Sequence, residues 1–174
     1  MRSILILLGL AISSSVLAEE QTISVPGEGW RIRFEAPKLT PGKGAVPSVF
    51  YGRADRLQVS FFVEPPKCPG GDSDETMYEC FTASLRKNPV VDWDTERGNT
   101  RPGGGVMVMY MTRLEIAGAR GRAFNINLLF PRNGKWADLH TSIASPTEED
   151  IRSLLELVNS VAIEDEPRRA ASDK

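Results

Sequence analysis

His140 is the only histidine in the chain, so any histidine-dependent hydrolysis or zinc chemistry must run through it. Zinc would need further ligands, and Asp138, on the same strand face, is the only close one. No Gly-x-Ser-x-Gly elbow and no His-Glu-x-x-His pair is present, so no catalytic residue can be assigned from a motif. Met107-x-Met109-x-Met111 offers three soft thioethers of the kind that suit copper(I). Alternate strand residues stand about 7 Å apart, however, and three sulfurs in one row converge poorly on one ion. Packing under a helix is the expected role. Asp92, Asp94 and Glu96 would share one strand face, where like charges repel. Calcium prefers a loop with more oxygen ligands, so a solvated edge strand protected from aggregation is the expectation there. Gly103, Gly104 and Gly105 precede a strand rather than a helix and lack the setting of a phosphate cradle. Neither a metal nor a cofactor is expected.

The compartment limits the chemistry further. Met1-Arg2-Ser3 gives a positive start, Ile4 to Ile12 an apolar run, and Val16-Leu17-Ala18 small residues ahead of Glu19, the pattern of an export signal cut after Ala18. The run is too short to span a bilayer and no cysteine follows the cut, so a soluble periplasmic or secreted product without a stable membrane anchor is expected. Cleavage removes one charged residue, Arg2, and takes the net charge from −2 to −3. An acidic chain is a poor ligand for nucleic acid or anionic membranes. In an oxidising compartment Cys68 and Cys80 are expected to form one disulfide, which would contribute about 3 kcal/mol in the chain-entropy model. A redox role is disfavoured, since the spacing is not Cys-x-x-Cys and Cys80 falls on the apolar face of its helix.

The elements that must position these residues fit one domain over residues 19–163, with 164–174 as a charged, disordered tail. Trp30, Ile32 and Phe34 alternate with Arg31, Arg33 and Glu35, a half-buried strand after a Pro26-Gly27-Glu28-Gly29 turn. Residues 37–47 read as a loop, followed by a hairpin of Ser48 to Arg53 with Leu57 to Glu64. A helix is expected from an Asp72 cap with Glu75 reaching back, its stripe being Met77, Cys80, Phe81, Ser84 and Leu85, and Pro89 ending it. Strands follow over Val90 to Glu96, Val106 to Ile116, Ala123 to Phe130 and Trp136 to Ala144. A second helix is announced by Ser145-Pro146-Thr147-Glu148, read as a capping box with proline at the first helical position. Its apolar stripe is Ile151, Leu154, Leu155, Leu157, Val158 and Val161.

Asn133-Gly134 suits a two-residue type I′ turn, which sets Phe130 against Ala137, Leu128 against Leu139, Ile126 against Thr141 and Phe124 against Ile143. A turn around Gly118-Ala119-Arg120 would then place Leu114 against Phe124, Thr112 against Ile126 and Tyr110 against Leu128. One sheet face becomes apolar throughout. The other is mixed, with Met107, Met109, Leu129 and Trp136 toward one end, under a helix, and Arg113, Asn125, Asn127, His140 and Ser142 toward the other. These five are the candidate residues for binding a ligand or partner.

The strand Trp30-Arg31-Ile32-Arg33-Phe34, the central helix, the long strands ending in Trp136-Ala137-Asp138-Leu139-His140 and the closing Ser145-Pro146-Thr147-Glu148-Glu149-Asp150 helix together resemble the PsbP-like fold group. The resemblance spans most of the mature chain and implies an α+β fold, a largely antiparallel β-sheet flanked by two main helices as an α/β/α sandwich. The group includes the extrinsic photosystem protein, a Ran-binding nuclear import factor, DcrB-like exported bacterial proteins and secretion-effector chaperones. Its members mostly bind other proteins and share no catalytic apparatus. No site motif matches position by position, so no functional residue carries over, and the cysteine pair is not a feature of the group. The expectation is an exported non-enzymatic binding or accessory protein engaging another envelope or secreted protein. The alternative is a small periplasmic hydrolase or ligand-binding protein with His140 as base or hydrogen-bonding group and Arg113 holding an anion.

Overall fold

A computed structural model describes residues 18–44, 46–69, 73–101, 104–116 and 118–166. The expected export segment lies outside the described residues apart from Ala18, as do residues 167–174 of the expected tail. In order the elements are β1 (Glu19–Val25), β2 (Trp30–Ala36), β3 (Thr40–Pro41), β4 (Phe50–Ala54), β5 (Leu57–Glu64), α1 (Asp74–Leu85), β6 (Val91–Thr100), β7 (Val106–Ile116), β8 (Ala119–Arg132), β9 (Lys135–Ala144), α2 (Glu148–Ser160) and β10 (Ala162–Asp165). The fold is mixed α+β. An antiparallel seven-stranded sheet runs β3-β4-β5-β9-β8-β7-β6, and β1-β2-β10 form a smaller one.

Alternation decides which side of each strand is buried. Trp30, Ile32 and Phe34 of β2 join Phe61, Ile126, Leu128, Phe130 and Leu139 of the large sheet, with Leu154, Leu157 and Val158 of α2, in one apolar cluster. Trp30 meets Phe61 and Phe130 edge-on, each with ring centroids 6.0 Å apart, which suits the aromatic quadrupole. The opposite face of the large sheet carries a second cluster of Val106, Val108, Tyr110, Leu129 and Trp136, covered by Met77 of α1. The disulfide Cys68–Cys80 ties the segment after β5 to α1. Such bonds persist in oxidising compartments, consistent with a periplasmic or extracellular location. Among the described residues no helix is long and apolar enough to cross a membrane.

The Asn133-Gly134 turn carries the expected positive φ values of 53° and 70°, and every β8–β9 pair follows the expected register. The β7–β8 register does not. Ile116 pairs with Ala119, so two residues close the turn, with Gly118 at φ 81°. Glycine accepts that conformation without strain, and Ala119 and Arg120 are freed to extend the ladder. Tyr110 consequently faces Asn125 instead of Leu128, a displacement of three residues. An odd displacement turns a strand over. Met107 and Met109 therefore oppose Leu128 and Ile126 on the α2 side, while Val106, Val108 and Tyr110 lie under α1.

Other boundaries also move. The α1 cap is Ser73, accepting from the Thr76 backbone at 3.1 Å; Asp72 lies outside the described residues. The capping box of α2 is Thr147 with Asp150, and Ser145 and Pro146 precede it. Residues 162–165, two of them assigned to the tail from sequence, form β10 beside β2, where Glu164 accepts from both Arg31 and Arg33. Charge and the lack of a core residue mark 164 and 165 as tail in the sequence, whereas Glu164 is complementary to the polar side of β2. β1 was not legible either, since its alternation offers two apolar residues, Ile23 and Val25.

Candidate functional site

A cleft of about 610 Å³ opens between α1 and the large sheet. Its helical wall comes from Met77, Cys80, Phe81, Ser84 and Leu85, and its floor from Leu129, Trp136, Ala137 and Asp138. Glu64, Lys67 and Cys68 close the side beyond β5, and Lys87 and Asn88 the end beyond α1. The volume is that of an organic ligand or a short peptide segment. The helical spacing of Met77, Phe81 and Leu85 aims one face of α1 at the floor, and the disulfide fixes the near wall.

Asp138 is the polar centre of this floor. One of its oxygens, Oδ1, accepts from Asn127 Nδ2 at 2.8 Å, and the Asn127 carbonyl oxygen accepts from the Tyr110 hydroxyl at 3.1 Å. Tyr110 therefore fixes which way the Asn127 amide points. Burial pushes the Asp138 carboxyl up to about 7; the Asn127 hydrogen bond acts in the opposite direction but does not offset it. Lys67, paired with Glu64 at 2.5 Å, also acts on Asp138 and lowers its carboxyl, while Glu64 raises it.

A second polar chain runs beside the first. His140 Nε2 contacts Asn125 Oδ1 at 3.1 Å, and Asn125 Nδ2 donates to Thr112 Oγ1 and the Ala123 carbonyl, both at 3.1 Å. With the Asn125 amide nitrogen committed as donor, its oxygen must accept, so Nε2 of His140 carries the proton. Burial drives the His140 pKa down to about 4, leaving a neutral imidazole across most of the pH range. This arrangement satisfies polar groups across strands and leaves Nε2 engaged, which suits a structural histidine better than a general base.

Of the five sequence-derived candidates, Asn125, Asn127, His140 and Ser142 share the α1 face of the sheet. Arg113 does not. It pairs with Arg122 on the opposite face, is exposed, and donates to the Pro89 carbonyl. The reversed β7 strand separates Arg113 from His140, so the expected pairing of a base with an anion-holding arginine does not form. The acidic trio is also split. A bulge between Asp92 and Arg97 leaves Asp92 accepting from Arg122 and Glu96 accepting from the Tyr78 hydroxyl on α1. Sequence reasoning gave Asp138 a minor place as a zinc partner. Its stronger signal was a carboxylate two residues from Trp136, on the strand face that packs under a helix.

No protein-family model matches the chain, and no curated protein matches it either.

Proposed function

We propose that this chain is an exported, non-enzymatic binding protein of the bacterial envelope, built as a PsbP-like α/β/α sandwich, and that the cleft between α1 and the sheet receives a segment of another envelope protein. The observation that carries this reading is the cleft itself, an apolar-walled space of about 610 Å³ with one carboxylate in its floor. A second carboxylate poised for acid–base work is missing from it, since Glu64 is committed to Lys67. The histidine on the same sheet face is neutral and engaged by Asn125. Separation of Arg113 from His140 weakens the hydrolase alternative.

The test is a photo-crosslinking amino acid placed at Ser84, on the cleft rim, or at Arg152, exposed on α2, in intact envelopes. Ser84 is expected to give a discrete adduct with one envelope protein that Arg152 does not. The same pattern from both positions, or turnover of a small substrate by purified protein with no Ser84 adduct, would overturn the proposal.

A further inference from the structure

The polarity of the occupant's contact with the floor follows from where Asp138 keeps its proton. Oδ1 accepts from Asn127 Nδ2, and Tyr110 fixes that amide by donating to its carbonyl oxygen. With Oδ1 accepting, the acid proton of the neutral carboxyl sits on Oδ2. Oδ2 has no hydrogen-bond partner among the described residues, and Asp138 is half-buried in the cleft lining. Protonated, it is a hydroxyl donor in an apolar-walled space.

The floor holds a second unspent donor. Trp136, two residues earlier on the same strand face, is 7% exposed, and its indole Nε1 is buried without a partner among the described residues. A buried N–H that lacks an acceptor is costly. The charges around Asp138 are matched or hydrated. Glu64 pairs with Lys67, Lys87 is exposed beyond α1, and His140 is neutral with Nε2 on Asn125. What the floor lacks is an acceptor, and a neutral occupant suits a lining whose charges are already served.

We propose that the cleft takes a neutral, apolar segment of the partner protein that presents a carbonyl oxygen to the floor, where the Asp138 carboxylic acid donates to it through Oδ2. The inference rests on the binding-protein reading above and names the group the partner must supply. A carbonyl accepts from the acid and has no proton to offer a carboxylate, so the protonated form alone makes the contact. Burial raises the carboxyl to about 7, with Asn127 and Lys67 acting against it and Glu64 with it. The contact is therefore made below neutrality and lost as pH rises through it.

The test measures benzophenone and its carbonyl-free analogue diphenylmethane on the purified protein by equilibrium dialysis at about pH 5.5 and about pH 8.5. Both probes are neutral and apolar, so the ratio of their affinities isolates the carbonyl contact. That ratio should favour benzophenone about tenfold more at the lower pH than at the higher, the scale of one hydrogen bond. In Asp138→Asn the Asn127 bond keeps the new amide's oxygen in place of Oδ1 and leaves an N–H donor in place of Oδ2, so the low-pH ratio should persist at both pH values. Asp138→Leu should show the high-pH ratio at both. A wild-type ratio that does not change with pH, an Asp138→Asn ratio that still does, or no binding of either probe overturns the assignment. In intact envelopes the Ser84 adduct should weaken at the higher pH in the wild type and not in Asp138→Asn. A wild-type adduct undiminished at the higher pH overturns the carbonyl assignment while the binding-protein reading stands. Absence of the adduct at both pH values, with the probe ratio behaving as expected, overturns the partner protein and leaves Asp138 as a donor to a small ligand.

Discussion

Arg101 donates through Nη2 to the backbone carbonyl of Asn159 at 3.1 Å, so an arginine from the β6–β7 connection closes the C-terminal end of α2. The same nitrogen reaches the Val161 carbonyl, and α2 carries no basic residue in its own last turn. A distant cation thus serves the orphan carbonyls and the negative end of the helix dipole. Replacing Arg101 with Met should cost about 2 kcal/mol, the scale of buried hydrogen bonds to a charged donor. Urea unfolding measures this, and Arg101→Lys should recover only part of the loss, since a point charge reaches the two carbonyls less well than a guanidinium.

Asp138 and His140 make opposite contributions to the pH dependence of stability. The Asp138 carboxyl rises from 3.8 to about 7 on folding, so the folded state holds the extra proton in that window and stability falls as pH rises through it. The His140 imidazole falls from 6.5 to about 4, so the unfolded state holds the extra proton and stability falls as pH drops from 6.5 to 4. Between about 4 and 6.5 the two slopes oppose one another. Measured against wild type, Asp138→Asn should gain stability as pH rises from about 4 to 7, and His140→Gln should gain as pH falls from 6.5 to about 4. Each slope approaches about 1.4 kcal/mol per pH unit. Taking differences from wild type cancels Asp150 and Glu164, whose carboxyls are held low by hydrogen bonds from Thr147 and Arg31 respectively.

Reduction of Cys68–Cys80 should loosen one wall of the cleft and leave the sheet intact. The bond spans 12 residues, for which the chain-entropy model gives about 3 kcal/mol. Phe124, Ile126, Leu128, Phe130, Leu139 and Ile143 face the α2 side and do not depend on it. Hydrogen exchange of the Cys68→Ser, Cys80→Ser double variant should show lost protection in α1 and retained protection in β8 and β9. Equal loss in all three would contradict this partition.

Gly98 lies beneath the Tyr78 ring, where an added Cβ would come within 2.4 Å of Cε2. Gly98→Val should therefore cost about 1–3 kcal/mol by overpacking. Most of that cost should disappear in a Tyr78→Ala background, because removing the ring removes the clash. A cost unchanged by Tyr78→Ala would place its origin elsewhere.

Local chemistry made much of the fold legible from sequence. Asn133-Gly134 fixed its own turn, and that turn fixed every β8–β9 pair, because a two-residue loop leaves the register no freedom. Strict alternation located Trp30, Ile32 and Phe34, and the helical spacing of Met77, Phe81 and Leu85 located α1. The β7–β8 turn was different. Ala117-Gly118-Ala119-Arg120 permits more than one closure, and only packing between two covered faces selected the one that turns Tyr110 toward α1 and Arg113 away from it. Asp138 became the centre of the cleft for the same reason. Its strand face was legible, but its fixed hydrogen bond depends on Tyr110 crossing to Asn127, and the charges that act on it on Lys67 and Glu64 meeting beside it. Tertiary structure decided those contacts because they join residues from separate strands and loops, whose meeting no local periodicity encodes.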